Sequence, residues 1–190
     1  MTVAISIETW MRESNTANPL SNLARVNALM ASVMGELVNK QKLVVEEIAS
    51  KIKRVSEINT RVKSFSNITD TKPDAKTFLG LTPEASLALL KEMDAVGVPG
   101  ISIWIQKLNT DNSLKPIPTG LIVENSVIST FSLQLQNISE SLQNVSQQES
   151  LRLQTLTNRY TQATDQASSV LQKDGQNKGT VTNNLRGSGG

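Results

Sequence analysis

Residues 30–65 read MASVMGELVNKQKLVVEEIASKIKRVSEINTRVKSF. Steps of four and three residues from Met30 visit Met34, Leu37, Gln41, Val44, Ile48, Lys51, Val55, Ile58, Val62 and Phe65. Nine of these eleven positions are apolar, and only Gln41 and Lys51 interrupt them. A 4-3 repeat keeps side chains on one face of an α-helix, so five heptads of it predict a coiled-coil seam. Val38, Val45 and Ile52 lie beside the seam and widen it enough to serve more than one neighbour. Extended back to Leu20, the helix covers residues 20–68, on the order of 70 Å at ~1.5 Å per residue. The Thr69-Asp70-Thr71 cluster and Pro73 end it.

Moving toward the C-terminus, residues 69–120 hold five of the six prolines and read as a small central module. Thr82-Pro83-Glu84 has the order of an N-cap, a first-turn proline and an acidic first turn. Leu87, Leu90 and Met93 then share a face, and Gly97 is a C-terminal stop, so a short helix is predicted over 83–96. Ile101, Ile103 and Ile105 alternate with Ser102, Trp104 and Gln106. That period suits a strand, and a short helix remains the alternative there. Asn109 to Gly120 reads as a loop.

A second long helix is predicted over 121–173. Ile128, Phe131, Leu135, Ile138, Leu142 and Val145 keep the 3-4 spacing. Glu149 and Leu153 follow at two consecutive fours, a stutter that locally unwinds a coiled coil. Leu156, Tyr160, Ala163, Ala167 and Val170 continue it. Residues 174–190 are rich in Gly and Asn and read as a flexible tail. Residues 1–19, with Asn15, Asn18 and Pro19 as a turn cluster, read as a flexible arm. The fold expected is all-α: a long antiparallel coiled-coil helical hairpin with a small variable module at its turn.

Composition narrows the chemistry. The 190 residues include no Cys and no His, and aromatics are 3%. A single such chain builds no disulfide, no Cys or His metal site and no Ser-His-Asp or Cys-His triad. The charge of +2 gives no electrostatic reason to expect nucleic acid or an anionic membrane. No stretch matches a membrane span, and the N-terminus lacks the parts of a cleaved secretory signal. An enzyme is not expected, nor is a cofactor or a metal.

Glu46-Glu47 and Asp70/Asp74 are carboxylate pairs, better read as solvated partners of Lys42, Lys51 or Lys53 than as an acid–base couple. Lys51, Lys53, Arg54, Arg61 and Lys63 form a basic run interleaved with Glu47 and Glu57, without an aromatic platform. Asn67-Ile-Thr, Asn137-Ile-Ser and Asn144-Val-Ser match the glycosylation triplet and read as chance matches. The second helix is more unusual. Between Val123 and Gln172 only Glu124, Glu140, Glu149, Arg152, Arg159 and Asp165 are charged. Its outer faces carry Ser, Thr, Asn and Gln, types that make up 66 of the 190 residues. A neutral polar face suits close packing in a polymer or the wall of a channel.

Two stretches carry a resemblance: LGLTPEASLALLKEMDAVGV, from Leu79 to Val98, and SQQESLRLQTLTNRYTQATDQASSVLQK, from Ser146 to Lys173. In the second, Arg152-Leu153-Gln154-Thr155-Leu156 precedes a polar run. With the order of long helix, short centre and long helix across residues 20–173, the chain resembles the type III secretion needle-tip and EspA/SseB-like translocator filament proteins. It is most similar to the Bordetella-type tip filament branch. It departs from them in its Gly/Asn-rich end and its small centre.

The resemblance implies export on an uncleaved signal within residues 1–19 and a place at the bacterial surface. There the chain would cap the needle or polymerise into a conduit toward the translocon pore. Implied partners are copies of itself, the needle subunit, the translocon pore proteins and a cytosolic secretion chaperone that holds it before export. The implied oligomer or chaperone interface is Met34, Leu37, Val38, Val44, Val45, Ile48, Ile52, Leu135, Ile138, Leu142, Val145, Leu153, Leu156 and Tyr160. Gln143, Gln147, Gln154, Asn158 and Gln162 are the lumen-lining candidates. A different class stays open: an intracellular coiled-coil adaptor or chaperone that binds a helical partner.

Overall fold

The computed structural model describes residues 19–66, 72–113 and 118–187. The expected arm before Pro19 and the Asp70 carboxylate lie outside them. In chain order the elements are α1 (Pro19–Ser66), β1 (Lys76–Phe78), α2 (Pro83–Ala95), α3 (Ile101–Ser113), β2 (Ile122–Glu124) and α4 (Asn125–Gly187). The two long helices pack against each other as an all-α hairpin. Two compact units are distinguished: one is Val44–Glu149, and the other takes the chain up to Leu43 and from Ser150 onward.

The Val44–Glu149 unit carries the hydrophobic core. Val55, Ile58 and Val62 of α1 meet Ile128, Phe131 and Leu135 of α4 there, with Leu89, Leu90 and Met93 of α2 and Ile101 and Leu108 of α3. Helix α2 is closed at both ends by local chemistry. The Thr82 hydroxyl accepts the Ala85 N–H at its start. At its end Val98 N–H donates to Met93 C=O and Gly97 N–H to Asp94 C=O, with Gly97 at φ 87°. That is a Schellman motif, and its usual apolar contact is supplied by Val98 and Met93, both in the core.

The segment after Pro99-Gly100 resolves to a helix. Its inward residues are Ile101, Trp104, Ile105 and Leu108. These recur at helical intervals, and Ile103, which made the pattern look alternating, is 67% exposed. The start of the second long helix also moves. Residues 121–124 are extended: Leu121 and Val123 are buried while Ile122 and Glu124 face out, and α4 begins at Asn125. Lys76↔Glu124, Thr77↔Val123 and Phe78↔Ile122 pair antiparallel.

Two N–H groups in the first turn of α4 find carbonyls in the segment just before β1, Asn125 to Ala75 and Ser126 to Pro73. The Asn125 side chain donates to Lys72 C=O. Where the ribbon meets α2, the buried Ser86 hydroxyl accepts the Leu121 N–H. Gly120 crosses Gly80 so closely that a Cβ there would collide with the Gly80 carbonyl.

In the other unit, among the described residues, only Gln41, Ala167 and Asp174 are buried. Gly35 lets the Tyr160 ring lie against α1; a Cβ at Gly35 would stand 3.3 Å from its Cε2. Helix α4 continues past Lys173, the expected boundary, to Gly187. The Gly and Asn content there predicts a tail, yet local bonds follow the helical spacing. Lys178 pairs with Asp174 at 2.7 Å, and the Thr180 hydroxyl donates to Gln176 C=O. Gly175 and Gly179 each cost such a helix roughly 1 kcal/mol relative to Ala.

Candidate assembly surfaces

The surfaces follow from which side of each long helix turns inward. On α1 the expected seam holds at Met34, Gln41, Ile48, Val55, Ile58, Val62 and Phe65, all buried or half-buried. At Leu37, Val44 and Lys51 it does not, because these are exposed. Val38, Val45 and Ile52, read as lying beside the seam, are the half-buried ones. Gln41, read as an interruption, is 7% exposed. The three-wide stripe offered two flanks, and the chain's own packing uses the one at Val38.

What is left outside is a second apolar row. In the unit that takes the chain up to Leu43 and from Ser150 onward, Leu23, Met30 and Leu37 follow one another at seven-residue intervals, 48%, 50% and 41% exposed, with Val33 beside them. Exposed apolar residues at this spacing have the pattern of a helix-packing face. The 4-3 spacing puts Met30 and Leu37 on a seam open to the chain's own helix or to another molecule, with Leu37 among the interface candidates; Leu23 and Val33 are not among them. The heptad interval itself was the available signal.

On α4, Leu135 is fully buried in the intramolecular core, so it offers no surface to another molecule. Ile138, Leu142, Leu153 and Leu156 are half-buried, while Val145 and Tyr160 are exposed. At the stutter Ser146 and Glu149 are half-buried and Val145 is exposed. Leu133, Leu151 and Leu171 are exposed and were not anticipated.

The lumen candidates Gln143, Gln147, Gln154, Asn158 and Gln162 are all exposed. Around the last three, hydroxyls bond back along the helix. Thr155 donates to Leu151 C=O, Thr157 to Leu153, Thr161 to Thr157 and Thr164 to Tyr160, each within 3.1 Å. The face therefore presents neutral amides and hydroxyls whose protons are already engaged within the helix.

Several charged side chains are paired. Lys51 binds Glu47 at 2.7 Å, Lys53 lies 4.0 Å from Glu57, and Arg61 reaches Glu92 of α2 at 2.7 Å. The Lys51 hydrogen bond, with its charge, holds the Glu47 carboxyl below the usual carboxylate range. These contacts favour the solvated-face reading of the basic run. Asn137 and Asn144 are exposed on α4, and Asn67 lies outside the described residues. Among the described residues no three acidic side chains gather as a metal site, and no helix is long and apolar enough to cross a membrane. No family model, curated protein or solved structure matches the chain.

Proposed function

We propose that the chain is a structural subunit of a type III secretion needle tip or tip filament, not an enzyme. In this reading it caps or extends the needle as a conduit toward the translocon pore. The observation that carries the reading is the imbalance of burial. The unit up to Leu43 and from Ser150 onward holds three buried residues among those described, and it exposes Leu23, Met30, Val33 and Leu37 on one helix. A helical segment with so little core of its own gains from packing against copies of itself, at ~25 cal/mol per Å² of apolar surface removed from water. The neutral outer face of α4, with Gln143, Gln147, Gln154, Asn158 and Gln162, suits a conduit wall that holds neither sign of charge.

The reading places the chain at the cell surface after export, and with a secretion chaperone in the cytosol before it. Needle subunit and pore proteins are its neighbours at the two ends of the assembly. Electron microscopy of the purified protein tests this: filaments or closed tip assemblies are expected. Monomers at every concentration, with no binding to needle subunit or pore proteins, would overturn it. The exposed Leu23–Leu37 row equally accepts a partner helix in the adaptor reading. Recovery of the chain from culture medium with its N-terminus uncut separates the two, since an adaptor stays inside the cell.

A further inference from the structure

Helix α3 and the β1–β2 ribbon line a cavity of about 380 Å³ inside the Val44–Glu149 unit. Trp104, Lys107 and Asp111 reach it from α3, where steps of three and four residues put them on one face. Lys76 and Glu124 reach it from the ribbon. Each wall therefore carries one cation and one anion. Lys107 and Asp111 are a turn apart on α3, and Lys76 stands directly opposite Glu124 across the ribbon. Side chains so placed have Cβ atoms about 5–6 Å apart, close enough for the charges to pair. Yet among the described residues neither Lys76 nor the half-buried Asp111 makes an ion pair or a hydrogen bond. The Lys107 ammonium sits instead 5.1 Å from the Trp104 ring centre, and Glu124 accepts from the Ser126 hydroxyl at 3.4 Å.

The rest of the lining is apolar. Val123 is buried, Val127 is half-buried, and Trp104 is held edge-on to Phe131 at 5.8 Å. An ion of one sign entering here meets two charges that attract it and two that repel it. A compact molecule carrying both signs satisfies all four, and an alkyl group on it finds the valines and the indole. We propose that this cavity binds a free α-amino acid with an apolar side chain. Its ammonium goes to Asp111 and Glu124, and its carboxylate to Lys76 and Lys107. Its side chain lies against Val123, Val127 and Trp104. Binding draws the Lys107 ammonium off the indole, which changes the surroundings of that ring. This goes beyond the tip-subunit reading and does not depend on it.

Trp104 reports on the site. The chain has two tryptophans, so full-length Trp10→Phe leaves Trp104 as the one fluorophore of its kind. Titration of that variant with L-leucine should change its tryptophan emission saturably, with half-saturation at about 1 mM or below, and calorimetry should give the same constant. Isocaproate, which lacks the ammonium, and isoamylamine, which lacks the carboxylate, should each bind at least about tenfold more weakly. Asp111→Asn and Lys76→Met should each weaken L-leucine by about the same factor while leaving the thermal midpoint of the ligand-free protein unchanged. No binding of L-leucine by fluorescence or calorimetry up to about 10 mM overturns the inference. So does equal binding of isocaproate or isoamylamine, or an affinity for L-leucine that neither variant alters.

Discussion

Single residues decide the close contacts. Ser86 is the only side chain shown accepting the buried Leu121 N–H, so Ser86→Ala should cost about 1–3 kcal/mol, measured by chemical denaturation. Gly120→Ala drives a methyl into the Gly80 carbonyl, and a loss of roughly 1–3 kcal/mol or failure to fold is expected in the same measurement. Glu47 gives a pH-dependent signal. Its carboxyl is held low by the Lys51 hydrogen bond, so the contribution of the pair is present above the unfolded carboxylate pKa and fades as pH falls through the lower folded value. NMR titration should place Glu47 below an ordinary Glu, and Lys51→Met should return it to the normal range. Neither Ser86 nor Gly120 announces itself in the sequence, because each matters through residues some 35 to 40 positions away.

At the scale of elements, local signals were legible and shared ones were not. Thr82-Pro83-Glu84 and Gly97 mark α2 because caps act on backbone groups within a turn or two of themselves. The extended segment before Asn125 was hidden inside an apolar run, since a strand of three residues leaves too short a period to detect. Its partner, Lys76–Phe78, is distant in sequence, and only the pairing makes either a strand. On α1 the spacing specified a wide stripe but left its inward flank undecided. Substitution distinguishes the two flanks. Ile48→Asp, on the inward side, should lower the thermal midpoint, because an unpaired charge buried there costs several kcal/mol. Leu37→Asp, on the outer side, should leave that midpoint within about 0.5 kcal/mol in equivalent free energy and reduce self-association in sedimentation.

For the whole molecule, the buried core and the exposed apolar row lie on different stretches. Leu90, fully buried, should cost about 2–5 kcal/mol when changed to Ala. Hydrogen exchange of the isolated chain should be slowest around Val55–Val62 and Ile128–Leu135, and markedly faster across residues 19–43 and 150–187, where few side chains are buried. Assembly should slow exchange in the latter segments selectively. Uniform protection across both units in the monomer would contradict this division between the two stretches.

From its residues alone this protein was committed to two long amphipathic helices, a short capped helix between them, and surfaces without His, Cys or strong net charge. Those follow from periodicity and composition, which are properties of neighbours in sequence. Tertiary structure decided which flank of α1 faces inward, where α4 starts, the pairing of the β1–β2 ribbon, and the confinement of the described core to one unit. Each of these depends on what lies across the fold. A helix with three apolar rows satisfies its periodicity equally well either way round, and only the partner's side chains break the tie.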